Sequence, residues 1–445
     1  MRRTSLVVRH AFLLGAFLCT TPLQAAEPAG SPAKPKDVLV IVADDINWHD
    51  VDNISTPTLD RLMSVGTTWR RFYTSPVCST TRYALQYGRW PRRDGIYNVL
   101  ESSNPLPGAR PHPDEGLVSL GDLFQSRGYL SGFFGKWHTG VQFYGPAGGA
   151  LPHVSPLFIG YDTWRAGTMG NIPTISPNSS YYLWDRLDDR TQTFGVTTYV
   201  DEDLIDTLRG WWNTTSASPR PRFAFVGTHL AHGPFHVPPE SLRPPGHPAP
   251  TTTREQFECM VVALDLLLDR LIKFDAADPD GAVKLRDTLV VFLADNGTPI
   301  PAAGSQDPGK VKGSTFDGGI RCPLVIAGDG FEAGRVEDEQ IVSAVDLFST
   351  LAVWLGGKRP AGVAEDSIPI QTGRRTWAMS EYVSADDDFA LVWDDWKLRR
   401  FNGVETLYDL VSDPTESFPL DPRDPGHAAV VNQIRKIEER LPDRF

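Results

Sequence analysis

The chain has 445 residues, 41% of them hydrophobic and 10% aromatic, enough for a large globular core with one added subdomain. Its formal net charge of -12 argues against nucleic acid as a partner, because that affinity rests on Lys and Arg neutralising phosphates. A small anionic substrate is not excluded, since a few cations inside a cleft outweigh a distant field.

Residues 1–26 begin with Arg2, Arg3 and Arg9, run through a short apolar stretch at 11–18 and reach the small pair Ala25-Ala26. This is the form of a cleavable signal peptide, so the mature chain is expected to be exported, periplasmic or secreted. The apolar stretch falls well short of the roughly 20 residues a membrane span requires. No later stretch is long and apolar enough either, so no stable span is expected after cleavage. Of the four cysteines, Cys19 leaves with the signal. Cys78, Cys259 and Cys322 could supply one disulfide and one spare thiol, with Cys259 and Cys322 expected as buried apolar fillers.

A flexible lead-in is expected over residues 27–36, which are rich in Pro, Ala and Gly. Residues 38–42 then form a β-branched run of the kind buried on both faces of a sheet, and Asp44-Asp45 stands where it ends. Thr56 and Pro57 read as the N-cap and first position of a helix continuing to residue 62. A helix over 120–127 is stopped by Gly128 and followed by a strand over 129–134. The same alternation returns as a helix at 201–212, a strand at 222–226, a Pro-rich surface loop at 233–250, a long helix at 257–274 and a strand at 289–294. That last strand ends at Asp295-Asn296.

Strands alternating with helices predict an α/β fold, a large mostly parallel mixed sheet flanked by helices, filling a catalytic domain over 37–372. Short strand-like runs at 377–382, 391–393 and 397–401, with a helix at 428–441, predict a small C-terminal α+β subdomain over 373–445, built on an antiparallel sheet.

In parallel sheets chemistry gathers beyond the carboxyl ends of strands. Asp44, Asp45, Asp295 and Asn296 are oxygen ligands placed there, suited to a hard divalent cation, Ca²⁺ or else Mg²⁺, and not to Zn²⁺. A single such residue is more often a turn former, but two pairs at two strand ends favour metal. Further on, Ser79-Thr80 followed by Ala-Leu-Gln starts a helix, which puts Cys78 at its N-terminus with Arg82 one turn away. Such a terminus favours an anion beside it.

Pro76-Val77-Cys78-Ser79-Thr80-Thr81-Arg82 resembles the signature of the formylglycine-dependent sulfatase family of the alkaline phosphatase superfamily. Asp44-Asp45, Gly135-Lys136-Trp137-His138, Ala231-His232-Gly233-Pro234, Asp295-Asn296-Gly297, Lys312-Gly313 with Gly318-Gly319-Ile320-Arg321-Cys322-Pro323, and Leu407-Tyr408-Asp409-Leu410 are similar to further motifs of that family, in the same order. The resemblance implies an alkaline phosphatase-like fold and hydrolysis of a carbohydrate or aryl sulfate monoester. It implies that Cys78 is converted to formylglycine by a maturation enzyme, and that the hydrated aldehyde, bound to a cation held by Asp44, Asp45, Asp295 and Asn296, attacks sulfur. Arg82 and Lys136 would steady this nucleophile, His138 would take the proton that lets sulfate go, and His232 and Lys312 would hold sulfate and protonate the leaving group.

The chain departs from the family pattern at Thr80, where Pro or Ala is usual, and at Asp317, where Glu is usual. Two rival readings therefore stay open: a phosphodiesterase or phosphonate monoester hydrolase on the same site, and a degenerate binding protein that never acquires the aldehyde. The sequence leaves undecided whether His229 and His236 touch the site and whether Trp48 and His49 line its rim. It also leaves open whether Tyr144, Tyr161, Tyr181, Tyr182 and Trp184 form a substrate platform or plain core.

Overall fold

A computed structural model of the chain describes residues 36–100, 117–139, 156–172, 180–244, 246, 249–275, 281–358 and 366–444. The signal peptide, the lead-in up to residue 35, and Tyr144 lie outside the described residues. Lys36–Phe445 is one compact unit, so the C-terminal elements belong to the same body as the large sheet.

Among the described residues the large sheet has eleven strands. In chain order these are β1 (Asp37–Ala43), β2 (Thr67–Tyr73), β3 (Leu130–Lys136), β4 (Thr163–Thr168), β5 (Trp184–Asp188), β6 (Thr191–Val196) and β7 (Arg222–Gly227). A separate two-stranded ladder, β8 (Ile272–Lys273) with β9 (Val283–Lys284), precedes β10 (Thr288–Ala294), β11 (Arg321–Ala327), β12 (Arg335–Glu337) and β13 (Val342–Ser343). The order across the sheet is β12-β2-β11-β10-β1-β7-β3-β4-β5-β6, with β13 also on β2.

The central five strands, β10, β1, β7, β3 and β4, are parallel, while β11 and β5 start antiparallel flanks. Every residue of β1, β7 and β10 is buried, as strands covered by helices on both faces must be. Each fully buried Val, Leu or Ile contributes roughly 1.5–3 kcal/mol.

The helices are α1 (Trp48–Asn53), α2 (Pro57–Val65), α3 (Cys78–Tyr87), α4 (Leu120–Ser126), α5 (Val200–Thr214), α6 (Thr253–Leu271), α7 (Asp317–Ile320), α8 (Asp346–Trp354) and α9 (Ala428–Glu438). Thr56 stands at the N-cap position of α2, without a side-chain capping bond, and Pro57 opens the helix, as the sequence predicts. The long helix α6 starts four residues earlier than predicted, because Thr252 and Glu255 form a capping box.

At the C-terminus β14 (Trp377–Val383), β15 (Asp387–Trp393), β16 (Trp396–Phe401) and β17 (Val404–Asp409) make an antiparallel meander that α9 packs against. This sheet is tied to the main body by Lys397, fully buried and paired with Asp317 at 2.5 Å and Glu416 at 2.8 Å.

Candidate active site

The register of the central strands brings the sequence-predicted residues together. Ala43 of β1 pairs with Ala294 of β10, so Asp44 and Asp295 leave the sheet side by side. On the other flank Val42 is level with Gly227 of β7, which is level with Gly135 of β3, so Lys136 ends its strand at the same height. Beyond the strands the ladder continues: Asp295 N–H donates to Ala43 C=O (3.1 Å), Asp44 N–H to Leu230 C=O (3.0 Å) and Ala231 N–H to Asp44 C=O (2.7 Å). That last pair fastens the loop carrying His232 to the first acidic pair. Space is tight here. A Cβ on Gly227 would collide with the carbonyl of Lys136 and with the Arg82 guanidinium, 2.6 Å from Nη1.

Cys78 is the first residue of α3. Val77 before it is extended, and no side chain caps the helix start. The Thr81 hydroxyl accepts the Ser75 N–H (2.9 Å) and the Thr80 hydroxyl donates to Val77 C=O (2.7 Å), fixing the turn into the helix. Cys78 is fully buried. Burial pushes its thiol up, against the opposing pull of Lys136 and Lys312. The thiol is therefore protonated at neutral pH and is a poor nucleophile as it stands.

Ligand atoms of Asp44, Cys78 and Asp295 lie within 4.8 Å of one another. Arg82 Nε donates to Asp295 Oδ2 (2.7 Å) and its Nη1 to Lys136 C=O (3.1 Å). Lys136 Nζ donates to Asp44 Oδ2, and Lys312 Nζ and Asn296 Nδ2 both donate to Asp45 Oδ1, the latter at 2.6 Å. Three buried oxygens, Asp44 Oδ1, Asp45 Oδ2 and Asn296 Oδ1, have no hydrogen-bond partner among the described residues. Buried polar atoms are seldom left so.

The carboxylates of Asp44 and Asp295, with Asp45 and Asn296 bonded to each other next along the two strand ends, are oxygen donors of the kind a hard divalent cation takes. The sulfur of Cys78 is the member that does not fit, since hard cations prefer oxygen. An oxygen at that position would complete the set.

Burial works to raise the Asp44 carboxyl, but Lys136, His232, Arg82 and Lys312 override it and hold the group well below the usual carboxylate range. Asp295 goes the other way, pushed up to about 6 by burial and by the charge of Asp44. His138 has a left-handed backbone (φ 52°), is fully buried, and has no hydrogen-bond partner at either ring nitrogen. Burial and the Lys136 charge keep it well below the usual histidine range.

His232 donates from Nδ1 to Gly233 C=O (2.7 Å), because a carbonyl can only accept, and Nε2 lies 3.9 Å from Asp45 Oδ2. Burial and the nearby Lys312 push this histidine down to about 4. The side chains of His232 and Lys312 keep 21% and 16% exposure, against 1% or less for Asp44, Asp45, Asp295, Arg82 and Lys136. The opening to solvent is on their side.

The other candidates divide. His229 is buried away from the cluster, its Nε2 2.8 Å from the Thr168 hydroxyl and its backbone N–H donated to Asp201. His236 bonds the Tyr199 hydroxyl (2.9 Å) and stacks on Tyr181. Trp48, buried beneath Arg70, and His49 border a cavity of ~570 Å³ lined by none of the cluster residues. Tyr161 and Trp184 are core, with polar tips bonded to Gln86 and Thr198 C=O, whereas Tyr182 is 40% exposed. Cys259 and Cys322 are free and buried, as expected of fillers. Sequence reasoning missed Thr168 and Asp201 and gave Tyr181 no role here; their contacts with the His229–His232 turn span 28 to 61 positions of chain, and no local pattern signals them.

A family model described as Sulfatase matches residues 36–357. Arylsulfatase A of Bos taurus is 29% identical over 432 residues, covering 88% of this chain and 80% of its own length. N-acetylgalactosamine-6-sulfatase of Canis lupus familiaris is 28% identical over 365 residues, covering 75% of this chain and 64% of its own. Among solved structures, Ps i-CgsB in complex with k-i-k-neocarrahexaose superimposes with a TM-score of 0.74 at 21% identity, covering 91% of this chain and 92% of its own. PsFucS1 sulfatase from Pseudoalteromonas sp. does so with 0.67 at 20% identity, covering 92% of each. At those identities the structures speak for the fold.

Proposed function

The chain belongs to the sulfatase family and is thereby a sulfuric ester hydrolase; we propose that it cleaves a carbohydrate or aryl sulfate monoester, with position 78 converted to formylglycine and one divalent cation, Ca²⁺ in preference to Mg²⁺. The observation that carries this reading is the meeting of ligand atoms of Asp44, Cys78 and Asp295 within 4.8 Å of one another, with unpartnered buried oxygens on Asp44 and on the neighbouring Asp45 and Asn296. When bound, the cation supplies positive charge that relieves repulsion among the carboxylates and polarises the oxygens it touches.

Asp44, Asp45, Asp295 and Asn296 hold the cation. Arg82 and Lys136, both fully buried and each bonded to one of these carboxylates, fix the nucleophile and offset its charge. Lys312 and His232, on the open side, receive the sulfate, and the Lys312 ammonium opposes charge developing on the transferred group. With Nδ1 committed to Gly233 C=O, His232 has only Nε2 free to face the departing ester oxygen, and it delivers a proton there once the negative charge of the bound sulfate has protonated the imidazole. His138 is neutral and has unoccupied ring nitrogens, which suits it to take the proton whose loss frees sulfate and restores the aldehyde.

That basic and acidic residues meet at one place favours catalysis over binding alone. We propose export as well, on the strength of residues 1–26; no helix of the described residues is long and apolar enough to cross a membrane.

The test is mass spectrometry of the peptide spanning Cys78, on protein from its own host, with turnover of chromogenic sulfate and phosphodiester esters measured on the same sample. The expected result is formylglycine at position 78, preference for the sulfate ester, and loss of turnover in a chelator with recovery on adding Ca²⁺. An unmodified thiol in fully active protein would overturn the formylglycine reading, and preference for the phosphodiester would overturn the substrate class.

A further inference from the structure

His232 sits at the end of a tight turn, and its ring must present Nε2 to the substrate. The turn is closed by the His232 N–H donating to His229 C=O (2.8 Å). Tyr181, in a segment remote in sequence, places its hydroxyl 2.5 Å from that same carbonyl and 2.7 Å from the carbonyl of His232. A phenol has one proton, so this proton is shared between the two carbonyls at the two ends of the turn.

Tyr181 is itself held firmly. It is 1% exposed, its ring stacks on His236 with centroids 4.3 Å apart, and its C=O accepts the Val200 N–H (3.0 Å) at the start of α5. From the same helix start Asp201 accepts the His229 N–H (2.9 Å). The turn is therefore fastened from opposite sides, by Ala231 to Asp44 on the metal-ligand side and by Tyr181 and Asp201 on the α5 side.

We propose that Tyr181 is a positioning residue for the reaction: its hydroxyl clamps the His229–His232 turn so that His232 Nε2 meets the leaving-group oxygen. The proposal rests on the sulfatase reading for the task of His232, but the clamp itself is a statement about geometry. Its consequence is selective. A loosened His232 impairs proton delivery, which matters for an ester whose leaving oxygen is a poor leaving group and little for one that departs as a stabilised phenolate.

The experiment uses the full chain and compares Tyr181→Phe with wild type. Phenylalanine retains the ring stacked on His236 and removes only the hydroxyl. The first readout is independent of turnover: the rate of carbethoxylation of His232 by diethyl pyrocarbonate, followed by peptide mass spectrometry, is expected to rise several-fold. The second is kinetic. On an alkyl or sugar sulfate kcat should fall roughly ten- to hundredfold, as expected when a reacting group is misplaced by about an ångström. On nitrophenyl sulfate it should fall far less. In a His232→Ala background Tyr181→Phe should cause no further loss on either ester, because two residues acting as a unit are not additive.

Tyr182→Phe is the control, since that hydroxyl donates to Val237 C=O (2.6 Å) further along the same loop; it should leave His232 reactivity and the ester selectivity unchanged. Unaltered His232 reactivity in Tyr181→Phe, equal losses on both esters, or the same behaviour in Tyr182→Phe would each overturn the clamp. A wild type that turned over no sulfate ester would refute the functional reading alone, and His232 reactivity would still decide the clamp.

Discussion

Replacing Asp295 by Asn separates what the carboxylate does for metal from what it does for folding. Asp295 is fully buried, accepts from Arg82 Nε at 2.7 Å, and is raised by burial and by Asp44 from 3.8 to about 6. Below pH 3.8 the folded and unfolded chains both carry the proton, and the group is neutral towards stability. As pH rises towards 6 the unfolded chain releases its proton first, so stability falls and then levels above the folded value. Two pH units at 1.36 kcal/mol each put the loss at about 3 kcal/mol. Asn imitates the protonated carboxyl and never charges. In chelator, the stability of Asp295→Asn relative to wild type should therefore rise by up to about 3 kcal/mol between pH 4.5 and pH 8, on top of a constant loss from the Arg82 left without its carboxylate.

Added Ca²⁺ should oppose this gain. A cation a thousandfold above its Kd stabilises the wild type by about 4 kcal/mol, while the variant, short of one ligand, gains little and turns over no ester. Urea unfolding at two pH values, with chelator and with Ca²⁺, reads all of this. A variant whose stability relative to wild type does not improve from pH 4.5 to pH 8 in chelator, or that Ca²⁺ stabilises as much as wild type, would refute the argument.

Gly227→Ala should cost about 1–3 kcal/mol by overpacking and reduce turnover more than its stability loss explains, since the new Cβ meets Arg82 Nη1 and the Lys136 carbonyl; thermal melts and kcat check this. Lys397→Met should cost roughly 3–5 kcal/mol in urea unfolding, because it leaves the buried Glu416 carboxylate without its lysine and half-buried Asp317 with Arg321 alone. Thr80→Ala removes the hydroxyl bond to Val77 C=O and should lower stability by about 1 kcal/mol. It should also raise the fraction of formylglycine at position 78 on co-expression with the maturation enzyme, read by peptide mass spectrometry.

What could be read from the sequence follows burial. β1 and β10 stand out because strands covered on both faces must be apolar at every position. β2 does not, because Arg70 and Arg71 interrupt it; each guanidinium reaches outward, to Asp52 and to Asp395. β11 carries Pro323, normally evidence against a strand, and the pairing with β2 shifts register between Cys322 and Leu324 to accommodate it. β6 is exposed along its length at the sheet edge and has no apolar alternation to reveal it. The fourth C-terminal strand, β17, is half-exposed for the same reason. The start of α6 was legible, since Thr252 and Glu255 have capping-box spacing, but apolar periodicity alone begins later, at Phe257.

The site was more legible than the fold because its residues stand at strand tips, where a run of apolar residues gives way abruptly to Asp or Lys. Why such a cluster can form in the interior of an acidic protein is a matter of charge. The carboxylates of Asp44, Asp45 and Asp295 are met by Lys136, Lys312 and Arg82, one cation each, so the buried group is neutral before any metal arrives. Burying six charges is tolerable only when every one is paired. A divalent cation bound there would leave the cluster with a net positive charge, which favours an anionic ester whatever the sign of the outer surface. These pairs give the two lysines a role of their own: each meets a carboxylate that would otherwise be buried without an opposite charge.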